Sequence, residues 1–331
     1  MDVCIIGCGV MGREHAKCWA ARPDARVASV FDPLPEARAR LAGEYHATAY
    51  DSYEKAISHE GVRVISVCTP TCFRRPIVCF AAEHGRHILT EKPLAANIAD
   101  ADAMLAAARQ HKVLLSTSFQ YRGFSQNQRL RELFRQGVLG APLYARYVDV
   151  REVRPKLAMH RESMNRGPVL DVGVHYFDLL RFLTGAEPLR VFATGTIWGR
   201  GRQRLADISD FAIDTAEILV NYTGGHVLSM QVGWGMVEGF KDIHEETLLS
   251  PNGTVRIADG RCRVALTGMI DEMEISKVTS QCRIDDMAEA IQGRKELEVT
   301  GEDGRRAVLV AMAAFDSIRT GAAVQVTPLQ A

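Results

Sequence analysis

The stretch Val3-Cys4-Ile5-Ile6-Gly7-Cys8-Gly9-Val10-Met11-Gly12 decides the fold. Val3 to Ile6 is the short apolar run expected of a strand buried on both faces. A helical pattern begins at about Gly12 and continues to Ala21. Glycines at 7, 9 and 12 therefore carry the G-x-G-x-x-G spacing between a strand and a helix, the context in which that spacing has meaning. Gly7 permits a tight turn, Gly9 lets the backbone approach a pyrophosphate, and Gly12 allows close packing of helix on strand. Cys8, Val10 and Met11 complete the loop, and the helix N-terminus offers unpaired N–H groups to an anion. A second apolar run, Val27 to Phe31, ends at Asp32-Pro33, with Asp32 twenty residues after Gly12. An acid there accepts hydrogen bonds from the adenosine ribose and repels a 2′-phosphate, so NAD is expected in preference to NADP. Arg38 and Arg40 lie one or two helical turns further on.

The alternation continues outward from this loop. Glu36 to Leu41 and Pro76 to Glu83 read as helices, Val62 to Val67, His87 to Thr90 and Val113 to Leu115 as strands. Asn97 caps an alanine-rich helix with Ala101, Met104, Leu105 and Ala108 on one face. Strands alternating with helices predict a doubly wound parallel sheet, an α/β Rossmann domain over 1–120. Beyond about residue 120 the pattern changes. A helix near Gln126 to Gln136 leads to strands at Leu143–Val153, Arg190–Trp198, Thr215–Tyr222, His226–Gly233, Glu246–Leu249 and Thr254–Ala258. Turn signals stand at Gly224-Gly225 and Asn252-Gly253. A helix over Val169–Leu183 precedes most of these strands, and helices at Ile284–Ile291 and Asp303–Arg319 follow them. Residues 121–331 are thus expected to form an α+β domain with a large, mostly antiparallel open sheet.

Composition excludes several classes. The 331 residues carry 40 basic and 40 acidic side chains, and 47% are apolar. A disordered chain would be less apolar and more strongly charged. With no excess or cluster of Lys and Arg, no nucleic-acid partner is expected. No apolar run reaches the roughly 18–20 residues of a membrane span, and the N-terminus lacks the marks of a secretory signal. The eight cysteines are accordingly expected as reduced thiols in the cytoplasm. Cys4/Cys8 and Cys68/Cys72 are paired at a spacing of four, but they lie in or beside apolar strand-like runs, so no metal site is expected.

Two further motifs carry chemistry. Thr90-Glu91-Lys92-Pro93 follows a short apolar strand, and ligands of open parallel sheets bind beyond the strands' carboxyl ends. Lys92 could there hold a substrate hydroxyl. Asp171-x-x-x-His175-x-x-Asp178, on a helix, would place Asp171 and His175 on one face at i, i+4. A histidine aligned with a carboxylate is an acid/base unit near neutral pH.

The three motifs, in this order, resemble the Gfo/Idh/MocA oxidoreductases, which include glucose–fructose oxidoreductase and inositol dehydrogenase. The resemblance runs from Gly7–Gly12, Arg13 and His15, through Cys68-Thr69-Pro70-Thr71, Glu91-Lys92-Pro93 and Asp171 to Asp178, to Val299–Gly321. It implies that Lys92 and His175 form the catalytic pair, with Asp171 contacting substrate and supporting it. It also implies that Cys68, Thr69, Pro70, Glu91, Lys92 and Gln120 join the glycine loop, Asp32 and Pro33 in holding NAD. The implied reaction moves a hydride between nicotinamide and a secondary hydroxyl or ketone of a sugar, inositol or related polyol. The same family resemblance also covers non-sugar substrates such as dihydrodiols. A non-catalytic dinucleotide-binding regulator would be expected to lack the lysine or the histidine, and both are present. Where the family has asparagine and histidine, this chain has Thr71 and Arg74. Arg122, Arg154, His160 and Trp234 are candidates for the substrate pocket. The resemblance implies as well that 121–331 serves substrate binding and oligomerisation, with a homodimer or homotetramer built through the C-terminal sheet.

Overall fold

The computed structural model describes residues 1–266, 268–275 and 279–326. It divides into two compact units, Met1–Gln120 with Val278–Arg305, and Tyr121–Lys277 with Arg306–Ala331.

In the first unit the elements run β1 (Asp2–Ile6), α1 (Val10–Ala20), β2 (Arg26–Phe31), α2 (Pro35–Tyr45), β3 (Thr48–Tyr50), α3 (Tyr53–Ile57), β4 (Val62–Val67), α4 (Arg74–Glu83), β5 (His87–Thr90), α5 (Ile98–Gln110) and β6 (Leu115–Thr117). All six strands are parallel in the order β3-β2-β1-β4-β5-β6, so the winding reverses between β1 and β4. That is the crevice where doubly wound sheets bind nucleotides. α1, α2, α4 and α5 form where the sequence predicts helices, and the five-residue α3 is an addition to them. Asn97 Oδ1 accepts the Asp100 N–H at 2.8 Å and caps α5. The expected last strand lies two residues later, at β6.

The second unit contains α6 (Ser125–Arg135), β7 (Tyr144–Glu152), α7 (Gly167–Asp171), α8 (Gly173–Thr184), β8 (Pro188–Thr196), β9 (Thr215–Tyr222), β10 (Val227–Met236), β11 (Ile243–Ser250), β12 (Gly253–Ala258), β13 (Arg261–Leu266) and β14 (Met269–Glu274). α9 (Gln281–Ile291) belongs to the first unit, α10 (Gly301–Thr320) carries the division after Arg305, and β15 (Val324–Gln325) closes the described chain. The nine-stranded sheet has the order β14-β13-β12-β11-β7-β10-β9-β8-β15, antiparallel except between β7 and β10.

Two expectations change. The domain expected over 121–331 gives up 278–305, because α9 inserts Ile284, Met287 and Ala288 into the apolar cluster of Val3, Ile5, Trp19, Val27 and Val30. The single helix expected over Val169–Leu183 is two, broken at Val172 (φ −97°, ψ −41°). Asp171 closes α7 and His175 lies in the first turn of α8, so the pair does not share one uninterrupted helix face.

Register settles which face of the second sheet is covered. Leu228, Met230 and Val232 are buried on the face where Tyr147 of β7 stacks on Tyr176 of α8. Tyr144, Phe192, Leu219 and Leu249 lie on the other face, each more than two-fifths exposed, and pair across strands as Leu249–Tyr144 and Leu219–Phe192.

Candidate active site

In the first unit the site is built at the carboxyl ends of β1, β2, β4, β5 and β6. Gly7 takes φ +93°, and an added Cβ would stand 2.9 Å from the Cys68 carbonyl carbon. At Gly12 an added Cβ would lie 1.8 Å from the Gly7 oxygen, so helix and loop meet only because the residue is glycine. Above Gly9 nothing stands within 4 Å of that position. The Gly9 N-cap has no side-chain hydrogen bond, and the first turn of α1 holds no acid. The loop therefore offers open space and free helix N–H groups, which fits a diphosphate. Asp32 is held from two sides: Oδ2 accepts the Cys8 N–H at 2.7 Å and Oδ1 the Leu34 N–H at 2.9 Å. This fixes the carboxylate where a ribose would meet it. Arg38 donates to the carbonyls of Asp32 (3.1 Å) and Pro33 (3.3 Å).

Further along the same edge, the buried Oγ1 of Thr69, Oγ of Ser118 and Oε1 of Gln120 find no hydrogen-bond partner among the described residues. Buried polar atoms are normally satisfied, so such a row points to a ligand or water. Glu91 turns inward instead. Its Oε1 lies 3.2 Å from Nε2 of His15, both side chains being buried. Burial alone would raise the Glu91 carboxyl, but the His15 hydrogen bond and the charges of His15, Lys92 and Arg74 bring it down to about 2. His15 moves the other way, to about 10: burial opposes its charge, and Cys68 and Glu91 outweigh that burial. Glu91 is thus a carboxylate that anchors its loop, while its neighbour Lys92, half-buried, occupies the strand end.

In the second unit His175 is buried, and the Tyr121 ring stacks on it with centroids 4.2 Å apart and planes at 11°. Tyr121 meets Tyr176 edge-on at 5.8 Å, and Tyr176 stacks on Tyr147 at 4.2 Å. Asn165 Nδ2 donates to Asp171 Oδ2 at 3.2 Å. Beside the tyrosines, Asp149 on β7 accepts from Arg151 Nε at 2.7 Å, and His244 on β11 bridges Asp149 (3.4 Å) and Glu246 (3.3 Å). Burial would raise Asp149, yet hydrogen bonds from His244 and Arg151 lower it to about 2. Hydrogen bonds to Asp149 and Glu246 raise His244 to about 9. Burial pushes all three tyrosine hydroxyls upward, with Glu246 the next contributor at Tyr121 and Tyr147 and Tyr121 at Tyr176. They are neutral donors at neutral pH.

The other expected pocket residues divide. Arg122 is buried and gives a two-pronged ion pair to Asp178, with Nε to Oδ2 at 2.7 Å, so both residues anchor α8. Arg154, His160 and Trp234 come together. His160 Nε2 lies 3.0 Å from the Arg154 backbone nitrogen and 3.3 Å from the Arg154 carbonyl oxygen, and its ring meets Trp234 edge-on at 6.4 Å. Burial lowers the His160 pKa, favouring the neutral ring. His160 Nδ1, Trp234 Nε1 and Arg154 Nε find no partner among the described residues. Sequence reasoning missed Tyr121, Tyr176, Asp149, Arg151, His244 and Glu246. The only signal for Asp149 and Arg151 was an acid and a base two apart on a strand, hence on one face. Among the described residues no group of three or more His, Cys, Asp or Glu side chains is arranged to hold a metal, and no helix is long and apolar enough to cross a membrane.

Comparison with known proteins follows the two sheets. The model of an oxidoreductase family with an NAD-binding Rossmann fold matches residues 1–119, and that of the GFO/IDH/MocA C-terminal domain matches 127–258. Similar proteins include myo-inositol 2-dehydrogenase of Thermotoga maritima, 29% identical over 68% of this chain and 66% of that one. 1,5-Anhydro-D-fructose reductase of Ensifer adhaerens is 25% identical over 97% of each. The WlbA dehydrogenase of Bordetella pertussis, solved with NADH and UDP-GlcNAcA, superposes with a TM-score of 0.83 over 99% of both chains at 22% identity. A dinucleotide loop closed by glycine, an acid fixed for the ribose and the paired domain models agree: the chain belongs to the Gfo/Idh/MocA family of oxidoreductases, with NAD as its cofactor.

Proposed function

We propose that the protein oxidises a secondary hydroxyl of a sugar, inositol or related polyol, or reduces the matching ketone, with Lys92, His175 and Asp171 as the reacting groups. The observation that carries this reading is the second-unit site. His175 is buried under the Tyr121 ring, beside a wall of neutral phenols and the balanced set Asp149, Arg151, His244 and Glu246. Such a surface offers donors and acceptors to many hydroxyls without a net charge to select a polyanion. The relatives named for inositol and anhydrofructose act on substrates of this kind.

Bound NAD supplies the hydride acceptor. His175 takes the proton of the hydroxyl being oxidised, and the stacked Tyr121 restricts the ring to one plane. Lys92 donates a hydrogen bond to the same oxygen and stabilises the negative charge that develops there. Asp171, steadied by Asn165, binds a neighbouring hydroxyl. Trp234 and Arg154, beside the His160 ring, offer N–H donors to substrate acceptors further out. The exposed row Tyr144, Phe192, Leu219 and Leu249 supports assembly of copies through the sheet's open face.

The test is NADH formation with a panel of cyclic polyols. Lys92→Ala and His175→Ala each lower turnover by roughly 100-fold or more, while NADH still quenches or shifts fluorescence on binding. Unchanged turnover in both variants contradicts the assignment.

A further inference from the structure

Arg74 is a buried cation, only 4% exposed. It opens α4, yet its guanidinium folds back across the ends of β4 and β5. Nε and Nη2 both donate to the Thr69 carbonyl, at 3.1 and 2.9 Å. Nη1 donates to the carbonyls of Glu91, at 2.5 Å, and Pro93. The two residues that flank Lys92 therefore place their carbonyls on one nitrogen, and the same planar group grips the loop after the neighbouring strand. A cation at a helix N-terminus opposes the helix dipole, and burying it adds a desolvation cost. The site tolerates both where three carbonyls converge.

We propose that Arg74 is a positioning residue for Lys92: it clamps the Thr69 loop, which lines the cofactor side, to the Glu91–Pro93 loop, and so sets where the lysine amine stands relative to bound cofactor and substrate. The proposal rests on the functional reading above. Lysine cannot replace the clamp fully, since an ammonium lacks the planar fork that spans both loops. Glutamine reaches one loop at most. A displacement of about 1 Å in a reacting group costs on the order of 100-fold in rate, whereas the glycine loop and Asp32, which hold the cofactor elsewhere, are untouched.

The experiment compares wild type, Arg74→Gln and Arg74→Lys at a temperature where thermal melts show all three folded. Arg74→Gln is expected to lower kcat about 100-fold with NADH affinity and substrate KM within about threefold, and Arg74→Lys to recover about tenfold of the loss. Hydrogen–deuterium exchange of the NADH complexes is read in parallel, with peptides covering 68–72 and 91–95 both exchanging faster in Arg74→Gln. A kcat per folded molecule equal to wild type, or unchanged exchange in the 91–95 peptide, overturns the proposal. If wild type itself turns over no polyol, the functional reading fails, and the exchange result alone decides the clamp.

Discussion

Asp32 shows how one placed charge sets a preference. Its two oxygens are fixed by backbone N–H groups from the glycine loop and from Leu34, so it cannot swing away from a 2′-phosphate. Arg38 stands beside it as a cation, its Nη1 donating to the Asp32 and Pro33 carbonyls. Asp32→Ser should therefore raise NADPH affinity by about tenfold or more, roughly 1.4 kcal/mol, and weaken NADH, as fluorescence titration would reveal. Continued exclusion of NADPH would mean the discrimination lies elsewhere. The buried His15–Glu91 pair makes a second prediction. Glu91 is depressed to about 2, so its share of stability is complete above about 4.5 and lost as pH falls toward 2. His15 is raised to about 10, so its share is complete below about 6.5 and lost as pH climbs toward 10. Denaturant melts should find the pair's contribution greatest between those windows. His15→Gln should cost about 3–5 kcal/mol there and flatten the alkaline loss. The glycines, Asp32, Lys92 and His175 were legible in sequence because each sits in a motif whose spacing has a mechanical reason. Tyr121 and His244 were not, since a stack and a cross-strand bridge depend on tertiary partners far away in the chain.

At the scale of elements, α9 is the informative one. It lies well beyond the strands of the second sheet in sequence, yet its apolar face completes the core under β1 and β2. Met287→Ala should destabilise the NAD-binding unit by about 2–5 kcal/mol, measured by denaturant unfolding in the absence of cofactor. A loss below about 0.5 kcal/mol would contradict that packing. The alternation of strand and helix through β6 was readable because parallel strands are continuous apolar runs. β3 is three residues long and edge-placed, too short to leave such a mark. β13 alternates only over Arg261, Cys262, Arg263 and Val264 before the short apolar end Ala265-Leu266, too brief a pattern to stand out. The break at Val172 left no proline or turn signal, because its dihedrals stray little from helical values.

The whole molecule carries no net charge, which suits a neutral substrate and leaves recognition to a few oriented groups. The same neutrality lets copies approach, and the outer sheet face presents exposed Tyr144, Phe192, Leu219 and Leu249. Light scattering at micromolar concentration should report a dimer or tetramer, and Leu219→Glu with Phe192→Glu should shift it toward monomer. A monomeric wild type would leave that face without the proposed role. The central claim is hydride transfer from a substrate carbon, and isotope transfer tests it most directly. A cyclic polyol that the wild-type protein oxidises, deuterated at its ring carbons, is incubated with NAD and protein, and the NADH formed is weighed by mass spectrometry. The account predicts NADH one deuterium heavier, and none formed with His175→Ala. Unlabelled NADH, or no NADH from any member of a broad polyol panel, would contradict it.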